Sequence, residues 1–460
     1  MRHPRRWQIP AGIGVLTTSL ALCAPALAAP TVAASTGGAA LSASVTTASR
    51  GPVSTKPASG TPHLAITKSL QEIRQLVKCG QTMYAVGRIW EVSQNGHSYS
   101  RNNVFSFSAT APYRMTGWNP DVDGEVESIT FTNGQGCGTA YLGGDFGHVN
   151  GTAAAHIAAV STSTGAIVPG FAHNANGTVN TLVSHHGHVL AGGLFTQING
   201  SGRAYFASLS PSTGKVDGFA NLNIKGSVTG MAEQVYKQQL SHSGKLDLVE
   251  GNFTSVAGKA RQQILMLNLA GSTARLTAWT SPEFSSHCIA REALYVRSAA
   301  WSRDDSTVYV ADTGDHPLNR ASGTFPLWGL CDAVVSFPAT QKSVHHNWIE
   351  YSGCDSYFSV AADDGAVYAG GHPRWANNPY GCNARGRNGV DDPGMQGLNP
   401  GTGEVLTNAQ GKARYQMSRA NADDMLFTSG GLWVASSNRF GSQWCDGVSG
   451  HSGICYLGYS

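Results

Sequence analysis

Charge is scarce in this chain of 460 residues: Asp, Glu, Lys and Arg make up 13% of it, about half the share of roughly 25% usual in globular proteins. The 31 Lys and Arg face 28 Asp and Glu, and the small excess lies in Arg2, Arg5 and Arg6 at the N-terminus. The remainder is balanced, which argues against a phosphate-backbone binder, since that needs a basic face, and no nucleic-acid partner is expected. Cysteine never occurs at C-x-x-C spacing, which argues against structural zinc; no metal and no cofactor are expected. No G-x-S-x-G, P-loop or S-x-D-x-G-x-T-W box is present, so the sequence carries no nucleophile elbow, no nucleotide cradle and no sialidase repeat. Beyond the first segment no apolar run reaches the ~20 residues of a membrane helix, and no membrane span is expected.

What is abundant is glycine, at 56 residues, together with Ser, Thr and Ala. The first 28 residues form an address rather than a structure. A basic start is followed by the apolar stretch from Ile13 to Ala24 and the small-residue site Ala26-Leu27-Ala28, the order of a secretory signal. Residues 29–62 are Ala, Ser, Thr, Gly and Pro in low-complexity order. They have almost no large apolar side chain to offset ordering entropy, so a disordered linker is expected there, with the folded domain over 63–460. Cys23 leaves with the signal. The eight that remain, Cys79, Cys137, Cys288, Cys331, Cys354, Cys382, Cys445 and Cys455, are an even set in an exported chain and read as four disulfides.

The rest of the chain repeats itself. Gly143-Gly144-Asp145-Phe146-Gly147-His148-Val149-Asn150-Gly151 is matched by Gly192-Gly193-Leu194-Phe195-Thr196-Gln197-Ile198-Asn199-Gly200 and, more loosely, by the segment from Glu250 to Gly258. An aromatic closes each unit, at Trp118, Phe171, Phe219, Trp279 and Trp348, after a turn such as Ser163-Thr164-Gly165. A period near 50 residues, filled with short β-rich runs such as Thr139-Ala140-Tyr141-Leu142, predicts an all-β protein: one β-propeller of about seven four-stranded blades. The last unit is short, and Leu64-Ala65-Ile66 is expected to supply its outer strand and close the ring. These Gly-Gly, Phe and Asn-Gly units resemble the delta-60 repeats of a secreted bacterial β-propeller family, well over residues 130–260 and more loosely elsewhere. The resemblance implies the fold and carries no catalytic motif, and a propeller scaffold by itself does not name an activity.

Blade topology sorts the cysteines. Cys79 and Cys137 fall at first hairpin turns of adjacent blades and can pair; Cys445 and Cys455 share one loop; Cys288 with Cys331 and Cys354 with Cys382 are the favoured remaining pairs. The opposite face carries long insertions, about 88–102, 313–330, 372–392 and 438–453. Long loops in a compact domain are usually functional or disordered. They bring Trp90, Trp328, Arg374, Trp375, Asp391 and Trp444 into play. Aromatic rings beside Arg and Asp suit a neutral, hydroxyl-rich ligand, though the same rings also serve to fill loop bases. Two readings stand. One is a non-catalytic, monomeric secreted protein whose partner is an extracellular polysaccharide, the cell wall or a protein. The other is a carbohydrate-active hydrolase or lyase using loop carboxylates, with Asp315, Asp391, Asp392 and Asp446 as candidates.

Overall fold

The repeat converts into antiparallel meanders. The computed structural model describes residues 50–132, 136–228, 231–285, 288, 294–314, 330–340, 342–415, 422–438 and 451–459, and over these the protein is all-β apart from one 3-10 turn at Pro282–Ser285. The first strands of the meanders are Glu72–Cys79, Glu125–Phe131, Val179–His185, Gln234–Leu240, Tyr295–Trp301, Tyr357–Ala362 and Asp424–Thr428. Each turns back into an antiparallel second strand and then a third, as Glu125–Phe131 does into Thr139–Asp145 and Ile157–Ser161. Successive first strands pack side by side, and Asp424–Thr428 packs against Glu72–Cys79. Meanders placed in this way make a β-propeller-like fold.

The blades are less complete than four strands each. The sheets that start at Gln234 and Tyr295 carry a fourth strand, Arg275–Leu276 and Trp348–Tyr351. In others the fourth shrinks to one bridge, such as Val160 to Ile167 or Leu209 to Val216. The closing aromatics lie beside these fourth strands, and Trp118, Phe171, Phe219, Trp279 and Trp348 are all in the core. So are Phe146, Phe195 and Phe253 of the repeat. Burying an aromatic ring contributes about 1.5–3 kcal/mol, and this happens once or twice per unit. Asn150 and Gly151 both have positive φ, at 51° and 72°, as a two-residue hairpin turn of mirror-image type requires. The Asn150 amide also donates to the Gly165 carbonyl at 2.8 Å, so one residue ties the hairpin to the Thr-Gly turn.

The N-terminal part of the folded body corrects two expectations. Leu64 pairs with Val92 in the 88–102 insertion and bridges to Ser452; it does not lie along the outer edge of the last sheet. The earlier segment takes that place. Val53 bridges to Tyr459, Ser54 N–H donates to the Gly458 carbonyl at 2.8 Å, and Ala58 N–H donates to the Tyr456 carbonyl at 2.8 Å. Val53 is fully buried; its N–H donates to Tyr368 Oη at 2.9 Å and its carbonyl accepts from Tyr415 Oη at 2.6 Å. Hence residues 50–62 belong to the folded body, not to the linker expected over 29–62, because a single apolar side chain and its two backbone groups find partners there. The signal segment and the rest of the linker lie outside the described residues.

Three disulfides staple the sheets, Cys79 to Cys137, Cys288 to Cys331 and Cys354 to Cys382, with Cα atoms 5.8, 5.8 and 4.6 Å apart. Cys455 is also disulfide-bonded, and Cys445, its expected partner, lies outside the described residues. Such bonds fit an oxidising compartment. No helix among the described residues is long and apolar enough to cross a membrane.

Candidate functional site

The first strands share one irregularity. Each of six has a register shift against its second strand at its third or second residue, between Ile73 and Gln75, Val126 and Ser128, Val179 and Thr181, Val235 and Lys237, Val296 and Ser298, and Tyr357 and Ser359. The residues left over at these bulges are Arg74, Glu127, Asn180, Tyr236, Arg297 and Phe358. In the last sheet Asp423 N–H donates to the carbonyl of Ala435, the residue already paired with Asp424, so Asp423 takes the equivalent place. All of these side chains line one cavity of about 440 Å³. A bulge re-aims a side chain that regular alternation would send elsewhere, and bulges concentrate beside functional sites for that reason.

The second glycine of the repeat permits the bulge. Gly144 pairs with Val126 and Gly193 with Val179, each opposite the residue that precedes the extra one. A Cβ on Gly144 would stand 2.2 Å from the Glu125 carbonyl oxygen, and one on Gly193 2.1 Å from that of Thr178. The first glycine serves the neighbouring sheet: a Cβ on Gly143 would stand 2.6 Å from a methyl of Val179. The Gly-Gly pair of the sequence is therefore a packing requirement of the cavity wall.

Below the cavity the same strands line a narrow space of about 60 Å³, which shares Arg74, Glu127, Asn180 and Lys237 with it. A third space of about 550 Å³ follows, with Leu76, Ile129, Leu182 and Met425 in its wall. The cavity is thus the polar mouth of a channel between the first strands, and the far end of that channel mixes apolar side chains with polar ones such as Gln75, Lys78, Gln238 and His242. The mouth opens where the first strands begin and the second strands end, since Glu72 pairs with Arg88 and Tyr357 with Gly371. The insertions 88–102 and 372–392 leave from that same end.

Charge is distributed unevenly around the mouth. Arg74 is the hub of one side: its guanidinium lies 2.7 Å from Glu72, 2.7 Å from Glu125 and 3.6 Å from Glu127. Burial disfavours its charge, but the three carboxylates outweigh burial and hold it above its ordinary value. Glu127 is pushed up by burial against the pull of Arg74, whereas Glu125, despite burial, is held below the usual carboxylate range by Arg74 and Arg88. Asp423 is pushed well above the ordinary range by burial and by Glu72, and one of its oxygens has no hydrogen-bond partner. On the other side Arg297 stands beside two rings, its guanidinium carbon 5.9 Å from the centre of Tyr236 and 5.7 Å from that of Phe358; burial disfavours its charge, and Tyr236, Asp423 and Glu72 oppose this only in part. The Tyr236 hydroxyl is buried without a partner, and burial pushes it up to about 12, although Arg297 opposes this.

The residues proposed from the sequence gather elsewhere. Arg374, Trp375 and Asp391 meet on the hairpin formed by Trp375–Ala376 and Val390–Asp391. The Arg374 guanidinium is 4.3 Å from the Trp375 ring centre and grips Asp355 at 2.8 and 2.9 Å; Asp391 faces Arg385 at 3.3 Å. Trp90, half-buried, follows the second strand of a different sheet, with its backbone N–H donating to Gln71 at 2.9 Å. None of these four lines the mouth. Trp328, Trp444, Asp315 and Asp446 lie outside the described residues. Asp392 is fully buried with both oxygens unpartnered, so it cannot act on a polymer at the loop surface. Among the described residues no three His, Cys, Asp or Glu side chains are placed to hold a metal ion. A signal for the mouth was present in the sequence. In a chain so poor in charge, Glu72, Arg74, Glu125, Glu127, Lys237, Arg297, Asp423 and Asp424 cluster at the starts of first strands.

No protein-family model matches this chain, and no curated protein matches it. Among solved structures it is similar to the computationally designed Ika8 protein, at 9% identity and a TM-score of 0.42, over 86% of this chain and 100% of that one. It is also similar to the β-propeller domain of Cps50 (Swd1) from Myceliophteria thermophila, at 12% identity and a TM-score of 0.38, over 65% of this chain and 80% of that one.

Proposed function

We propose that this protein is a secreted, monomeric β-propeller of the delta-60 repeat kind, with seven blades and a ring closed by the segment around Val53. In this reading it is a binding protein that takes an extracellular polysaccharide or cell-wall polymer on its long-loop face. The ligand centres on the channel mouth, with the hairpin of Arg374, Trp375 and Asp391 as an outlying contact. One observation carries the reading: six consecutive blades use the same bulge to turn Arg74, Glu127, Asn180, Tyr236, Arg297 and Phe358 into one cavity, and Asp423 joins them from the equivalent place in the last sheet. Its volume of about 440 Å³ falls within the ~300–1,000 Å³ of small-ligand sites. Amides, a phenol and an aromatic face are the groups that hold sugar hydroxyls and sugar rings.

Co-sedimentation with insoluble polysaccharides and bacterial cell wall tests it, with Phe358→Ala and Asn180→Ala beside wild type and Trp375→Ala as an outlying control. Loss of binding in the mouth variants, with a smaller effect of Trp375→Ala, is expected. Binding that survives both mouth substitutions would move the site away from the channel, and no binding at all would end the polymer reading.

A second reading has its own support. Glu125 and Glu127 are two carboxyl groups on one strand that are pushed in opposite directions, as acid and base roles require. Reducing ends or unsaturated products released into the supernatant would make the protein a hydrolase or lyase.

A further inference from the structure

We propose that Arg297 is the receptor for a carboxylate of the ligand, and that the polymer taken at the mouth is therefore an acidic polysaccharide rich in uronate. This rests on the reading of the mouth as the binding site.

The cations of the mouth are not equivalent. Arg74 is already held by Glu72, Glu125 and Glu127, and Lys237 stands 3.8 Å from Asp424. Arg297 makes no hydrogen bond and no ion pair among the described residues. Its guanidinium stands beside the Tyr236 and Phe358 rings in the cavity wall; Asp423 and Glu72 of the same wall favour its charge through space, but neither hydrogen-bonds it. A guanidinium cannot discharge by losing its proton, so taking it out of water without a partner is costly. With Asp423 and Glu72 acting on it only through space, a fold that keeps one there gains when an anion arrives that can bond the guanidinium directly. The fork of N–H donors matches a carboxylate in the two-bond mode, and a low local dielectric strengthens that pair.

The groups around Arg297 select a sugar acid over a simple anion. The Tyr236 hydroxyl is buried and unpartnered. Asn180 donates to Gln234 Oε1 at 3.1 Å and to the Val235 carbonyl at 2.8 Å, which leaves Asn180 Oδ1 and Gln234 Nε2 as an acceptor and a donor on two residues of the cavity wall. A carboxylate on Arg297 thus lies among a phenol, a carbonyl oxygen and an amide, the complement of neighbouring hydroxyls. Phe358 offers a face to the ring that bears them.

The test is titration of the mature protein with polygalacturonate, alginate and hyaluronan, each beside its methyl-esterified form, which keeps the backbone and removes the charge. Poly-glutamate serves as a carboxylate without a sugar. At least one polyuronate is expected to bind tenfold or more tightly than its ester, and Arg297→Gln is expected to abolish that preference. Arg297→Lys, which keeps the charge and loses the fork, should retain only part of it. Melting temperature is read alongside: Arg297→Gln should leave it unchanged or raise it, because an unpaired, desolvated cation is removed. Equal binding of ester and acid would overturn the carboxylate assignment and leave the mouth as a saccharide site. Binding of poly-glutamate as tight as that of any polyuronate would overturn the sugar. Binding of none of these polymers, or a large fall in melting temperature in both Arg297 variants, would overturn the inference. The broader reading of the mouth would then stand or fall on the neutral polymers and cell wall.

Discussion

Arg74 Nε and Glu125 Oε1 are 2.7 Å apart, and the bond joins the first strands of two neighbouring sheets. Glu125 in turn accepts from Arg88 at the end of the second strand, so one carboxylate ties three strands. The pair is half-shielded from water, where a charged hydrogen bond is worth about 1.5–3 kcal/mol. Arg74→Met should destabilise the protein by about that amount, because Glu72, Glu125 and Glu127 are left facing one another. Glu125→Gln, which keeps a hydrogen-bond acceptor, should cost less. Urea unfolding at low and high salt checks this; two equal losses would show that the charge has no part in it.

Several carboxyl groups are buried, and they give stability an unusual pH dependence. Burial pushes Glu350 up to about 8, Glu250 up to about 8 and Asp392, which also feels Glu350, up to about 9. In the unfolded chain such groups ionise near pH 4. Between pH 4 and 8–9 the folded state therefore binds more protons than the unfolded state, and stability falls as pH rises through that window. The melting temperature should be higher at pH 5 than at pH 8, and Glu350→Gln and Asp392→Asn should each flatten the slope. A melting temperature that rises steadily from pH 5 to 8 would show that these groups are ionised in the fold.

The segment around Val53 is an integral edge of the last sheet. Deletion of residues 1–48 should leave the melting temperature as it is. Deletion of residues 1–62 removes the Val53 backbone bonds to Tyr368 and Tyr415 and exposes the strand Ile454–Gly458. An exposed edge invites pairing between molecules. A fall of several degrees and aggregation on heating are expected, measured by calorimetry and light scattering. Equal behaviour of the two truncations would remove Val53 from the fold's support.

Two glycines of one repeat unit should respond differently. Gly144→Ala sets a Cβ against the Glu125 carbonyl and should cost about 1–3 kcal/mol, since backbone must move. It should also weaken ligand binding, because the Glu127 bulge shifts with it. Gly151 has open space around it and a φ of 72°, so Gly151→Asn should be nearly neutral. Unfolding curves of the two variants, read beside binding, separate space from conformation.

Much of the scaffold is legible in the order of residues. Gly-Gly, Phe and Asn-Gly marks at a regular period place the strands, the buried rings and the turns, because each answers a local need for close approach, burial or positive φ. Cysteine placement at hairpin turns indicated the pair Cys79 and Cys137 for the same reason. The charges at the starts of first strands hint at the mouth, but which side chains turn into it depends on the strand pairing. Strand alternation read from sequence assumes a constant period of two, and a bulge adds one residue and reverses which face the next side chain meets. Nothing in the order Glu72-Ile73-Arg74-Gln75 says that Arg74 is the extra residue; the pairing of Ile73 with Gly87 and of Gln75 with Val86 does. Likewise Val53 looked like linker because its neighbours are Ser, Thr, Gly and Pro. It is buried because the edge of the last sheet meets it at Tyr459 while the hydroxyls of Tyr368, from the preceding sheet, and of Tyr415 bond its backbone, all more than 300 residues away in sequence.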